Sequence, residues 1–417
     1  MNKANKNFIV GAGVILESWR KNLYVIAVAE FVVILGFSFV TPFMPLFIQE
    51  LGDFTSQKAV FWAGIATGVA GIAMFLSAPV WGIVADRWGR KPMLLRAQFG
   101  SAIVLTLAGL SPNVYYFIGL RFTQGLLSGT VPAASAVVAA MTPRDKIPFA
   151  MGLLMVTVYA GTTLGPLLGG LLADAFGFRT TFFITGALLF IGGLIVLLFV
   201  KETFERPAAG QVTAMGDVLR LAISKEMLPL LMVICALTIG PQMVAPIIPL
   251  FISDLSYEGS AATASGLAFA LLGVIAAISS FTSGRLGRRI TLKKILIFSC
   301  LGTGLLYLPP IWAQTVTQLL IFVGITGLLT GGIITSSNAL VGLSVPLSQQ
   351  GIAYGLSASA SSLGSGLGPL LGGSLASFIG LRPVFGVAGG LFILVGILAR
   401  KLLAKRPLGT PTSVEMK

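Results

Sequence analysis

Two charged side chains stand inside long apolar runs, and any chemistry in this chain would start from them. Glu30 lies about seven residues into a run near 23–48, and Arg121 lies within a run near 114–140. Holding a charge near the middle of a bilayer costs roughly 3 kcal/mol even on lenient insertion scales, so such residues face a bundle interior or a wet cavity. The chain has no histidine, which removes imidazole from catalysis, metal ligation and proton relay together. A proton carrier must then be a carboxylate, and Glu30 is the one well inside a span. At a helical rise of 1.5 Å per residue, Glu30 and Arg121 differ in depth by about 8–10 Å, so water or polar neighbours would have to link them. Phe37, Thr41, Gln124, Tyr159, Gln242 and Asn338 are the side chains expected to line a substrate cavity of mostly apolar character, beside Met44, Met155 and Met243. Methionine and aromatic side chains adapt to ligands of different shape, although helix packing would use the same polar residues.

The elements that position these residues are membrane helices. Of 417 residues 55% are hydrophobic and only 10% charged, too little polar surface for a soluble body of this size. The 51 glycines fit a bilayer protein, where small residues let helix backbones approach. Cys235 and Cys300 both fall in apolar runs and read as small buried hydrophobes rather than a disulfide.

Gly-Pro-Leu-Leu-Gly-Gly occurs at 165–170 and again at 368–373, and the correspondence continues at an offset of 203 through Gly161 and Gly364, Gly177 and Gly380, and Arg179 and Arg382. Gly36, Pro42 and Pro45 share their spacing with Gly240, Pro246 and Pro249. An offset near half the chain length implies two parallel repeats related by an axis along the membrane normal. The expected organisation is an N-terminal segment 1–22, a six-helix bundle 23–200, a linker 201–227, a second six-helix bundle 228–404 and a tail 405–417, twelve spans of about 20 residues or more in all. The first span is expected to be a retained helix, not a cleaved signal.

With both termini cytoplasmic, 24 of the 28 Lys and Arg lie on the inner face and only Lys58, Arg179 and Arg382 on the outer, which the positive-inside rule favours. The net charge of +14 is thus scattered over short loops facing anionic lipid headgroups and does not mark a nucleic-acid binder.

Three motifs and a fourth element carry a resemblance to a known family. Gly82-Ile-Val-Ala-Asp86-Arg87-Trp-Gly89-Arg90-Lys91 resembles the signature loop of the major facilitator superfamily, where it forms a charge cluster that holds a cytoplasmic gate. Positive-inside anchoring is the plainer alternative for its bases. Gly82 would permit a close helix crossing, Gly89 a left-handed helix end and Pro92 the first turn of the next helix. The second copy has Gly284 in place of Asp86. Gly161, Gly165, Pro166, Gly169 and Gly170 resemble the motif of the antiporter branches, with Pro166 removing a helix hydrogen bond and the glycines offering a surface for another helix. Leu35-Gly36 with Pro42 and Pro45, and Arg121 with Gly125 and Gly129, are similar to further patterns of the twelve-helix drug:proton antiporters.

The resemblance implies an all-α major facilitator fold of two six-helix bundles and a non-enzymatic, proton-coupled exporter of small amphipathic or lipophilic compounds. It would work by alternating access, with no cofactor beyond the proton gradient, and as a monomer. A sugar or metabolite symporter and a lipid or lipid-linked precursor flippase are the rivals on the same fold. A polytopic protease or acyltransferase would need paired carboxylates or a Ser/His site, which the spans do not supply, and no Walker-type loop is present for ATP.

Overall fold

The computed structural model describes residues 3–143, 146–202, 215–225, 227–255, 259–286, 289–345 and 350–404. Helices account for nearly all of them: α1 (Lys3–Phe39), α2 (Met44–Glu50), α3 (Ser56–Trp88), α4 (Arg90–Gly109), α5 (Val114–Leu127), α6 (Thr130–Met141), α7 (Ile147–Phe176), α8 (Phe178–Phe199), a short α9 (Met215–Ala222), α10 (Leu228–Val244), α11 (Ile248–Asp254), α12 (Ala261–Leu286), α13 (Leu292–Leu306), α14 (Val316–Leu343), α15 (Gln350–Ile379) and α16 (Leu381–Ala404). With no water in the bilayer core, each span must satisfy its backbone internally, and the helix does so.

Eleven segments among the described residues are long and apolar enough to cross a membrane. The remaining expected span, the eleventh, coincides with α15, whose 30 residues are ample for a crossing but rich in Gly and Ser, which lowers its hydropathy. Most of the expected linker and all of the tail lie outside the described residues, as do Gly287 and Arg288 of the second loop copy.

Three expected spans are each two helices. The first breaks between α1 and α2 and the seventh between α10 and α11, where Pro42 and Pro246 fall at equivalent places and proline cannot donate to a ladder. The fourth breaks between α5 and α6 at Ser128 and Gly129, with Gly129 at φ +107 and ψ 37. That left-handed conformation is open to glycine at little cost. Pro132 follows in the first turn of α6, where a missing N–H leaves nothing unpaired.

The repeat seen in sequence recurs contact by contact. A Cβ at Gly161, Gly165 or Gly169 of α7 would strike α1 at Ile34 and Leu35, at Ser38, and at Phe39. At the second copy Gly364, Gly368 and Gly372 of α15 stand in the same way against Thr238, Gln242 and Met243 of α10. The halves meet along matching seams. Gly170 abuts Ala262 and Gly266 abuts the Pro166 carbonyl, while Gly373 abuts Val60 and Gly64 abuts the Pro369 carbonyl. The α3–α15 and α7–α12 pairs therefore form a symmetric interface in which small residues bring backbones into contact.

That interface closes only one end of the molecule. On α3, α7 and α15 the glycines towards the opposite end, Gly82, Gly152 and Gly355, have nothing within 4 Å of a Cβ position. The halves are joined at the end where α7 finishes and stand apart at the end where the chain begins.

Candidate functional site

Glu30 of α1 is fully buried. Its neighbours are neutral: Gln98 of α4 donates from Nε2 to Oε2 at 3.5 Å, and Thr130, the first residue of α6, faces the same carboxyl. Oε1 has no partner, and neither do Gln98 Oε1 and the nearby Ser101 hydroxyl of α4. An incompletely paired polar cluster in an apolar interior is a costly arrangement.

Arg121 of α5 donates from Nη1 to the Gln124 amide oxygen and leaves Nε unpaired. No ion pair joins it to Glu30. Arg121 lies nine residues before Thr130, about 14 Å along the span at 1.5 Å per residue, so the two charges are too far apart for direct contact. Each charge keeps company with an amide of its own.

The expected cavity side chains are spread over five helices and one helix break. Phe37 packs partly into the core, Thr41 sits in the break after α1, Gln124 is buried on Arg121, and Gln242 lies under Gly368. Tyr159, 49% exposed, and Asn338, also exposed, fall on the segments of α7 and α14 towards the splayed end. A cavity of about 510 Å³ lies elsewhere, at the joined end, lined by Gln49, Glu50, Asp53, Asp174, Phe178 and Ser260 among others. None of the six expected cavity residues borders it.

The loop between α3 and α4 braces its own half. Gly89 takes φ +101 with ψ 161, a backbone region even more restricted to glycine than the left-handed turn expected from sequence. The Glu202 carboxylate accepts from the Arg90 and Lys91 backbone N–H groups at 3.0 and 2.8 Å, supplying α4 with the anion its N-terminus favours. Lys91 Nζ donates to the Leu197 and Val200 carbonyls at the end of α8, and Arg90 to Ala136 of α6. Arg87 is exposed. Asp86 is in the last turn of α3, with its side chain outside the described residues. Gly82 makes no close crossing here, contrary to expectation, because the halves are apart at its depth.

Sequence reading missed three features. Arg96 sits within the α4 span, where sequence alone counts it only among the inner-face bases. Glu202 looked like linker. The third is a polar latch across the halves at the joined end, where Ser260 and Thr263 donate to Asp174, and Ser56 donates to Asp254 at 2.9 Å. Hydroxyl and carboxylate residues near helix ends give no signal of pairing until the fold brings them together.

Comparison with known proteins bears on this arrangement. The family model described as Major Facilitator Superfamily matches residues 26–308 and 230–416. The chain is 34% identical over 400 residues to a "Multi-drug resistance efflux pump PmrA homolog" of Lactococcus lactis subsp. lactis, covering 94% of this chain and 98% of that one. It is 33% identical over 395 residues to "Multidrug resistance protein MdtG" of Salmonella arizonae, covering 94% and 98%. Among solved structures, a bacterial homolog to the human lysosomal transporter Spinster, in an inward-facing and occupied conformation, superposes with a TM-score of 0.78 at 14% identity over 92% of this chain and 96% of that one.

Proposed function

The chain belongs to the major facilitator superfamily as a non-enzymatic, multi-pass membrane transporter, and from that premise we propose that it is a proton-coupled multidrug exporter working by alternating access. The printed names of relatives at 33–34% identity over nearly the whole chain support drug efflux as the task. The splayed end, which carries the chain's start and the motif loop, is the cytoplasmic one in this reading, so the structure is an inward-facing state ready to take cargo from the cell or the inner leaflet.

The observation that carries the coupling is Glu30, fully buried, half-satisfied and without a charged neighbour, in a chain with no histidine. A carboxyl that is neutral when sealed and charged when wetted can take a proton on one side and give it up on the other. Arg121 acts on that exchange through polar neighbours. Small amphipathic molecules would occupy the space between the halves, with Tyr159 and Asn338 at its mouth. The loop from Gly82 to Lys91 serves as the cytoplasmic gate, and the glycines of α7 and α15 as the surfaces on which the halves rock.

The test is efflux from a host lacking its own exporters, with and without a protonophore. Rescue of drug hypersensitivity that is lost on collapsing the proton gradient is the expected result. No rescue across a panel of lipophilic cations and neutral drugs would reject export and favour the flippase or metabolite readings.

A further inference from the structure

We propose that Trp81 and Arg96 are positioning residues for Glu30, holding the break in the fourth span so that Thr130 stays against the carboxyl and releasing it as the halves rock. This rests on the reading of Glu30 as the proton carrier.

The break between α5 and α6 strips carbonyls of their helical partners at membrane depth, where no bulk water replaces them. Two donors from other helices take them up. Trp81 of α3 donates from Nε1 to the Leu126 carbonyl at 2.7 Å, and Arg96 of α4 donates from Nη2 to the Ser128 carbonyl at 3.2 Å. The Arg96 guanidinium lies 3.7 Å from the centroid of the Trp81 ring, so the two donors form one stacked unit. Beyond the break, Gly129 turns the chain and Thr130 opens α6 facing Glu30. Gln98, the other partner of Glu30, is two residues from Arg96 on the same helix. A shift of the stack therefore reaches both side chains that touch the carboxyl.

The stack also has a reason to shift. α3 is one continuous helix whose far half packs through Gly64, Gly68 and Gly71 on α15 of the other half. When that seam opens, α3 must move relative to the C-terminal half, carrying Trp81. The network has slack to follow: Arg96 Nε and Nη1, Gln98 Oε1 and Glu30 Oε1 are all unpaired. No other charge is placed to substitute. The remaining helices packed on α1 with described side chains, α6, α7 and α8, carry only Asp174 and Arg179 as acids or bases, both at the joined end.

The C-terminal half supplies a control within the molecule. Gly125 stands against Ala70 and Ala73 of α3 just as Gly327 stands against Leu272 and Ala276 of α12. Four residues on, the symmetry fails. Gly129 breaks its span, whereas Gly331 lies inside the unbroken α14, packed on Ala276 and Ser280. At the place of Glu30 that half has Ile234. The break and its stacked donors occur in the half that has the carboxyl.

The experiment uses the full chain in liposomes, with ethidium as the transported probe and an internal pH dye for protons. Trp81→Phe removes the N–H and keeps a ring, and Arg96→Met and Arg96→Lys remove the planar stack without and with charge. All three are expected to lower gradient-driven ethidium transport roughly five- to tenfold, the scale of one lost hydrogen bond. They should also move the midpoint of its pH profile while sparing downhill equilibration, and add nothing further to Glu30→Gln. An unmoved midpoint, or equal loss of uphill and downhill flux, would overturn the positioning role. Should Trp81→Phe fail to fold, the two Arg96 variants carry the same decision. If Glu30→Gln itself keeps full gradient-driven transport, the proton-carrier reading fails. If Glu30→Gln is uncoupled and the Trp81 and Arg96 variants are normal, only the present proposal fails.

Discussion

The two halves of this transporter share a backbone and differ in chemistry. Each has a glycine ladder on its fifth helix against its first, and a seam to the other half at matching positions, down to the carbonyls of Pro166 and Pro369. The polar interior is not shared. Glu30 and Arg121 face Ile234 and Val323 at the corresponding places. The C-terminal half instead carries hydroxyls, some bonded to their own or a neighbouring helix, as Thr326 to the Val323 carbonyl and Ser279 to the Leu328 carbonyl, and some without a partner, as Thr303 and Ser336. Duplication preserved what rocking needs, two equivalent sliding surfaces, because a Cβ at any of these glycines meets backbone, which cannot yield as a flexible side chain can. A charge inside the membrane needs a tailored shell, and the proposed coupling requires only one.

The largest expected effect separates the halves. Glu30→Gln should abolish uphill, proton-driven efflux while downhill flux and binding of uncharged cargo persist, measured by counterflow and proton uptake in vesicles. Ile234→Glu, the mirror change, should not restore coupling to that variant, since it places a carboxyl where no Gln98 or Thr130 awaits it. Restored coupling would mean that either half can house the proton.

The glycine ladders should respond alike. Gly165→Leu and Gly368→Leu each force a side chain into backbone at Leu35 or Ile239, and overpacking costs typically 1–3 kcal/mol or more. Both are expected to lower folded yield and transport by about tenfold or more, read by detergent-solubilised monodisperse protein and by efflux. A severe effect in one half with none in the other would break the symmetry argued here.

How much of this was legible beforehand follows from the same contrast. The helix count, the repeat and the special status of Glu30 are written in composition and spacing, because membrane burial tolerates so few charges that each one signals. The break at Gly129 was not legible: Gly129 and Gly331 occupy the same place in similar apolar runs, and only tertiary packing decides that one turns and the other stays helical. Arg96 hid for a related reason, since near Arg90 and Lys91 it counts as one more base of the inner face. Asp174 and Asp254 gave no pattern at all, since their partners come from across the molecule.

The signature loop offers a smaller effect. Asp86→Asn or Gly89→Leu is expected to reduce transport several-fold with little change in the amount of folded protein, because the loop biases a conformational equilibrium and touches no cargo in this reading. Gly89→Leu meets a backbone at φ +101, so its cost also includes strain of order 1–3 kcal/mol. Ala substitutions in the second copy at Arg285 or Arg289, whose loop has no equivalent acid, should do less. Comparable losses from both loops would assign the bases to membrane anchoring.

The smallest expected effect is at the joined end. Asp174 accepts from both Ser260 and Thr263, and Asp254 from Ser56 alone, each bond crossing between halves at an exposed surface. Hydrogen bonds of this kind contribute about 0.5–1.5 kcal/mol net, less where water competes. They add to a seam already closed by backbone packing, so they tune the opening of that end and do not cause it. Asp174→Ala should then shift the distribution between closed and open at this face by roughly two- to tenfold, and Asp254→Ala by less, since it loses one bond and not two. Spin labels at positions 50 and 259 report the distance across the latch directly, and the longer-distance population should grow in that order. No change in either variant would leave the glycine seam as the sole closure. A larger change than Gly165→Leu produces would reverse the ranking and make the polar latch, whose acceptors Asp174 and Asp254 are not equivalent in the repeat, the part that decides which way the transporter faces.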